Sequence, residues 1–349
     1  MHLKYRNCQQ ARFLQQNRSQ TALSIMTPPL ITLEEHFLAE AAEDVKSLYS
    51  EQLGNIPELA AKLGDLGPLR LHSMDESNVS IQVISHGPGA LRTSQCKAAN
   101  DQLASAVKAY PDRFAGFAVL PVLDPAESAK ELRRCVRELH FVGALIDNRF
   151  KNTYYDGPEY EVMWAAAQDL DVPIYLHPTW PSEEQLDLLY TGNFAQSATL
   201  SLSASGWGWH SDVALHILRL FSAGVFDKFP RLKIIAGHMG EMLPFMLHRI
   251  MQLSPRWGRR DRLFKEVYDT NIWITTSGVW SVDPMATILR NTRIDKILYS
   301  VDYPFAKNEN GLIFMKELEE SGLVTQEQLE QIAYKNSEQL LGLKVKKTF

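Results

Sequence analysis

Cysteine is scarce: Cys8, Cys96 and Cys135 are the only three among 349 residues. They are odd in number, far apart and in no CxxC or Cys/His cluster, which excludes a disulfide scaffold or a zinc finger and reads as a reducing compartment. No apolar run approaches the ~18–20 residues that a membrane span requires. Long basic runs are missing too, and 36 Lys and Arg against 41 Asp and Glu leave a net charge of −5, so no nucleic-acid surface is expected. The sequence holds no Walker loop, GxGxxG or GxSxG, which removes support for nucleotide-cofactor and serine-hydrolase chemistry. Carboxylates are absent before Glu34, while Lys4, Arg6, Arg12 and Arg18 stand among many Gln and Ser. Such a start fits a disordered leader over 1–28, the reading adopted here with a cytoplasmic location, or else a mitochondrial transit peptide.

Eight short apolar runs rich in β-branched residues are present. They are Leu30–Phe37, Ile81–Gly87, Phe114–Val122, Phe141–Asn148, Val172–Pro178, Leu232–Gly240, Ile272–Gly278 and Lys296–Phe305. Continuous rather than alternating apolarity marks strands covered on both faces, as in a parallel sheet. Amphipathic stretches separate them. Asp124–Leu139 opens with an Asp-Pro capping signal and aligns Ala126, Ala129, Leu132, Val136 and Leu139 on one face. Glu159–Leu170 and Asp212–Ala223 read the same way, with His216 on the apolar face as a core histidine. Eight β–α units without a second compositional block predict an α/β fold, a single (β/α)8 TIM barrel over 29–343, followed by a frayed tail over 344–349. Ala39–Leu71 after the first strand and Thr179–Trp209 after the fifth read as insertions.

Barrels of this kind carry their chemistry at the C-terminal ends of the strands. The first run ends in Glu34-Glu35-His36, where alternation puts Glu34 and His36 on one side and Glu35 on the other. The fifth ends in His177, the sixth in Gly237-His238-Met239-Gly240-Glu241, the eighth in Asp302. Each alone reads as a cap or a satisfied core group. Together, ionisable groups at four inward strand ends are costly to desolvate without a cation or mutual pairing. Glu34, His36, His177 and Asp302 offer two oxygens and two nitrogens, a set suited to Zn²⁺ or Mn²⁺, less to Mg²⁺ and poorly to Ca²⁺. His238 then stands beside the ion as an acid, base or donor that Glu241 orients.

The segments LEEHF, YLHPTWP, FPRLKIIAGHMGE, IWITTSG and ILYSVDYPF together resemble the amidohydrolase-related, metal-dependent decarboxylases, over about residues 30–342. That family includes γ-resorcylate, 2,3-dihydroxybenzoate, salicylate, 5-carboxyvanillate and aminocarboxymuconate-semialdehyde decarboxylases. The resemblance implies Glu34, His36, His177 and Asp302 as metal ligands, His238 and Glu241 as a second catalytic pair, and Arg249 near the site. Asp302 is implied as ligand and proton shuttle together, with His238 as the second candidate. Strand 4 ends in Asp147-Asn148 without the lysine that binuclear hydrolases use as a bridge, which favours one ion. Thr179–Trp209 matches no family pattern.

The expected activity is cofactor-free, metal-dependent loss of CO₂ from a hydroxylated aromatic acid of salicylate, resorcylate or orsellinate type. A cation gripping the acid positions the ring, and a proton must reach the carbon that bears the carboxylate. Phe37, Trp180, Trp207, Trp209 and Phe305 flank the motifs as candidate ring contacts, with Arg249 as a candidate carboxylate contact or a structural pair. A lactonase-like metal hydrolase is the second reading, and a barrel that binds an aromatic acid without turnover the third. The resemblance also implies a homodimer or homotetramer.

Overall fold

The computed structural model describes residues 27–346. The leader expected over 1–28 lies outside them except for Thr27 and Pro28, whose carbonyls both accept from the Asn78 side chain at 2.9 Å.

Each of the eight apolar runs holds a strand. They are β1 (Leu30–Phe37), β2 (Val79–His86), β3 (Phe114–Ala118), β4 (Gly143–Asp147), β5 (Pro173–His177), β6 (Lys233–Ala236), β7 (Ile272–Thr275) and β8 (Ile297–Leu298). They pair in parallel in chain order, and helices flank the sheet on its outside. These are α1 (Pro68–Glu76), α2 (Thr93–Ala109), α3 (Pro125–Arg137), α4 (Glu161–Asp169), α5 (Gly208–Ser222), α6 (Leu243–Leu253), α7 (Val282–Asn291) and α8 (Asn308–Glu320). The expected (β/α)8 barrel is the fold. Asp124 caps α3 as its sequence predicts, accepting from the Glu127 amide at 3.0 Å, and Ala129, Leu132 and Cys135 bury its inner face.

The barrel has two apolar layers. Outward strand residues such as Leu30, Ile84 and Ile234 pack against the helices, while Ile31, Leu33, Val83, Phe117, Tyr175 and Ile235 fill the lower interior. Leu340 and Leu341 close the bottom, with Leu343 and Val345 packed on them. The start of the tail is therefore docked rather than frayed: Val345 N–H donates to Glu338 at 2.7 Å, and Lys346 pairs with Asp112 at 2.6 Å. The apolar side chains of Leu343 and Val345 hold it there, against the basic character that suggested fraying.

The last strand is far shorter than the run Lys296–Phe305. Beyond Leu298 the backbone leaves the ladder, and at the junction with β1 side chains add to the backbone bond that His36 N–H donates to the Tyr303 carbonyl at 2.6 Å. Ser300 Oγ accepts from the amides of Leu33 and Glu34 at 3.0 and 2.8 Å. The connection after β1 holds short helices at Glu40–Tyr49, Ser50–Asn55 and Leu59–Gly64, and that after β5 at Glu183–Gln185, Leu186–Tyr190 and Gln196–Ser203. No helix among the described residues is long and apolar enough to cross a membrane.

Candidate metal centre and its cavity

The pairing of β1 with β2 slips by one residue between Thr32 and Glu35. This bulge changes which residues face inward. Ile31 and Leu33 reach the apolar floor, and Glu34 and His36 reach the mouth above it. Strict alternation from Ile31 would have sent Glu35 inside. Glu35 instead lies in the β1–β8 junction, where its carboxylate accepts from Ser300 Oγ at 3.2 Å and from the amides of Val301 at 3.3 Å and Tyr303 at 2.8 Å.

Glu34, His36, His177 and Asp302 each direct one ligand atom into a common space, all within 4.8 Å of one another. The other polar side-chain atoms of Glu34, His36 and His177 are already occupied. Glu34 Oε2 accepts from the hydroxyls of Tyr175 and Ser277. His36 Nδ1 contacts Ser85 Oγ at 3.3 Å, and His177 Nδ1 donates to the Pro178 carbonyl at 2.7 Å. What remains are Glu34 Oε1, His36 Nε2 and Asp302 Oδ1, buried without hydrogen-bond partners in the protein. His177 Nε2 stands 3.1 Å from Glu34 Oε1 and His36 Nε2 stands 3.3 Å from Asp302 Oδ1. Two imidazole nitrogens fixed by their opposite ring atoms, facing two carboxylate oxygens, are a donor set that fits a divalent transition metal.

Charge in this group is strongly interdependent. Burial alone would raise the Glu34 carboxyl, but His238, His177 and His36 outweigh it and hold it below the usual carboxylate range. Burial and then the Glu34 charge push Asp302 up to about 8. Burial pulls His36 down, whereas His177 rises because its bond to Glu34 overcomes burial. Burial likewise opposes charge on His238, yet Glu34 and Glu241 push it up to about 10.

His238 and Glu241 owe their meeting to an unusual backbone. His238, Met239, Gly240, Glu241 and Met242 all have positive φ, between 45° and 83°, forming a left-handed turn before α6. Only glycine enters that region without cost, and four of the five are not glycine, so strain is stored next to the site. The turn sets His238 Nδ1 2.8 Å from Glu241 Oε1. Gly278 makes room for the imidazole: a Cβ there would come within 2.9 Å of His238 Cδ2. Asp302 also has a positive φ, of 81°.

Above these groups opens a cavity of about 440 Å³. His177, His238 and Asp302 line it together with Trp180, Trp209 and Phe305. Trp180 meets Tyr49 and Trp209 edge-on, and Phe305 stacks on Tyr49. Of the expected ring contacts, Trp180, Trp209 and Phe305 thus face the cavity. Phe37 does not: it is buried in the core against His86, because its position in β1 follows inward-facing His36. Trp207 is 53% exposed. Arg249 is a further correction: it lies on an exposed face of α6 and outside the cavity lining of the chain, since only every third or fourth residue of α6 faces the barrel.

One lining histidine was not anticipated. His210 Nδ1 meets the other oxygen of Glu241 at 2.7 Å, its Nε2 donates to the Ser205 carbonyl at 2.9 Å, and its ring lies 4.7 Å from that of His238. Its sequence signal was slight, a histidine following Trp207-Gly-Trp209 in the first turn of α5, just after a long connection without periodicity.

The profile of the amidohydrolase family matches residues 45–343. A fungal relative, decarboxylase orsB of Emericella nidulans, is 53% identical over 84% of this chain and 91% of its own length. A γ-resorcylate decarboxylase of Polaromonas sp. is 36% identical over 79% of this chain and 88% of its own. Among solved structures, a dihydroxybenzoic acid decarboxylase from Polaromonas sp. JS666, with bound manganese and the inhibitor 2-nitroresorcinol, superposes with a TM-score of 0.80 at 31% identity, covering 90% of this chain and 97% of that one. On the strength of these matches and of strand-end residues that the barrel brings together at its mouth, this chain belongs to the amidohydrolase family, among its aromatic-acid decarboxylases.

Proposed function

We propose that the protein removes CO₂ from a hydroxylated aromatic carboxylic acid without oxidation, yielding the corresponding phenol. The observation that carries this is the convergence of Glu34, His36, His177 and Asp302 beneath an aromatic-walled cavity of about 440 Å³. Those four residues would hold one divalent ion, which when bound supplies a positive charge to fix the acid's oxygens. The manganese in the Polaromonas structure favours Mn²⁺ over Zn²⁺ here.

The chain's own groups account for the rest. Trp180 and Phe305 confine the ring plane, so the carbon bearing the carboxylate meets the same donor at each encounter. Asp302, which lines the cavity beside His177 and His238, delivers a proton to that carbon. The bond to the carboxylate then breaks, its electron pair restores the aromatic ring, and CO₂ departs. Asp302 is left ionised and recovers a proton from solvent through the cavity mouth. His238, held by Glu241, stands ready on the same wall as a hydrogen-bond donor. A homo-oligomer is part of the same proposal: Phe245, Met246 and Met251 expose apolar surface around the outer side of α6.

The test is a panel of hydroxybenzoates incubated with manganese-loaded protein, with CO₂ and phenol measured together. Asp302→Ala and His177→Ala are expected to lower turnover by at least about a hundredfold, the contribution of a general acid or of its supporting charge. Opening of lactones without CO₂ release would instead select the hydrolase reading.

A further inference from the structure

His210 faces two acceptors, and a neutral imidazole has one proton to give. Its Nε2 donates to the Ser205 carbonyl at 2.9 Å, which leaves the lone pair of Nδ1 aimed at Glu241 Oε2, 2.7 Å away. A lone pair set against a carboxylate is repulsive unless something positive stands between them, a second proton or a metal ion. His177 shows the same arrangement within the strand-end group. Its Nδ1 donates to the Pro178 carbonyl at 2.7 Å, and its Nε2 stands 3.1 Å from Glu34 Oε1. Metal-binding histidines donate their other ring N–H to a carbonyl or carboxylate in this way, which fixes the tautomer.

The other oxygen of Glu241 meets His238 Nδ1 at 2.8 Å, and one ligand atom from each of His210, His238 and Glu241 lies within 4.8 Å of the other two. Two imidazoles and a carboxylate are a set that binds zinc and leaves a coordination position open. This group is separate from the strand-end four. Nδ1 of His238 points to Glu241, while its opposite nitrogen, Nε2, is the one 3.8 Å from Glu34 Oε1. His210 and His238 line the cavity, which gives an ion its way in, and Glu241 is fully buried behind them. Zinc bound at ~2.0–2.1 Å needs ligand atoms roughly 3.3 Å apart, so these pairs must open by about half an ångström. Facing atoms of the strand-end group already stand 3.1 and 3.3 Å apart, so that group fills first.

We infer that His210, His238 and Glu241 form a second divalent-cation site, for zinc, that fills only when zinc is in excess and inhibits the enzyme when filled. The ion takes the place of the protons between the two Nδ1 atoms and Glu241, and those protons leave to solvent. Glu241 then holds the metal instead of His238, which loses the partner that aims it at the cavity. The inhibition rests on the decarboxylase reading above; the site itself does not.

The full-length protein is dialysed against excess zinc, and bound manganese and zinc are counted together by plasma emission. Wild type is expected to hold two ions per chain and His210→Asn one, because the amide offers Glu241 an N–H but no imidazole lone pair. His210→Ala, also expected to hold one, guards against a variant that fails to fold. Equal counts in wild type and the folded variants overturn the site. Zinc is then titrated into manganese-loaded enzyme while CO₂ release and retained manganese are followed together. Wild type should slow by about 10–100-fold, the usual loss when a supporting partner is removed, with its manganese in place, whereas His210→Asn keeps whatever rate it starts from. Equal inhibition of both proteins, or inhibition that follows manganese loss, overturns the inhibitory role. If no hydroxybenzoate releases CO₂, the decarboxylase reading fails by itself, and the ion count still decides the site.

Discussion

Two imidazoles share one carboxylate at the cavity wall. Glu241 is fully buried and receives His238 on one oxygen and His210 on the other. A carboxylate held from both sides cannot swing, and an imidazole anchored to it keeps its free nitrogen aimed at the cavity. His210 thus positions His238 without touching the metal group. His210→Ala is expected to lower kcat by about 10–100-fold, the usual loss when such a supporting partner is removed, while metal content measured by plasma emission stays at the wild-type level. His210→Asn, whose amide N–H can stand where Nδ1–H does, should recover most of that loss. A fall in kcat matched by a fall in bound metal would mean that His210 merely holds the fold. The four strand-end ligand candidates were legible because a strand fixes where its last residue stands. His210 was not, because it stands in the first turn of α5 directly after the long connection Thr179–Trp209, which gives that helix start no register that sequence can supply.

The bulge in β1 decides which of two neighbouring glutamates serves the site. Leu33 and Glu34 are the residues it leaves out of the ladder, and Ser300 Oγ satisfies both of their amides. Glu35 then joins β1 to the chain beyond β8, beside the backbone bond that His36 N–H donates to the Tyr303 carbonyl at 2.6 Å. From the sequence, Glu35→Gln is expected to be mild, since the side chain points away from the ion. The direction is right, but the structure reverses the consequence for stability. An amide NH₂ must face either the Tyr303 or the Val301 N–H, leaving a buried donor without an acceptor. Glu35→Gln is therefore expected to cost about 1–3 kcal/mol, read as a lower urea midpoint, and to loosen Asp302, which lies between those two amides. A midpoint equal to wild type would show that the junction does not depend on this carboxylate. The run Lys296–Phe305 looked like a long strand because its apolarity continues past Leu298. Hydropathy records burial and is blind to whether a buried backbone pairs with another strand or with side chains.

Across the whole barrel, apolar continuity made the eight units readable, and the two layers of core explain why: every strand is covered inside and out. The bottom closure by the tail was not readable, since a short segment of mixed Lys, Leu and Val has no periodicity to mark its destination. Global stability also depends on imidazoles that the fold keeps neutral, and His216 is the cleanest case. It is fully buried, its Nε2 accepts from the Tyr155 amide at 3.2 Å and its Nδ1 donates to Asn148 at 3.1 Å. That fixed tautomer has no place for a second proton, and burial lowers its pKa from 6.5 to about 3. Between those values the unfolded chain binds a proton that the folded chain refuses, so stability is full above pH 6.5 and drains as pH falls toward 3. By pH 4.5 the loss from this one group amounts to about 2–3 kcal/mol. His216→Asn removes the titration along with the hydrogen bonds, so the variant is less stable than wild type at pH 7 and the gap narrows by that amount at pH 4.5. Urea unfolding of both proteins at the two pH values measures it, and taking the difference cancels every other titrating group, including Glu34 and Asp302. A gap of equal size at both pH values would mean that His216 accepts its proton inside the fold after all.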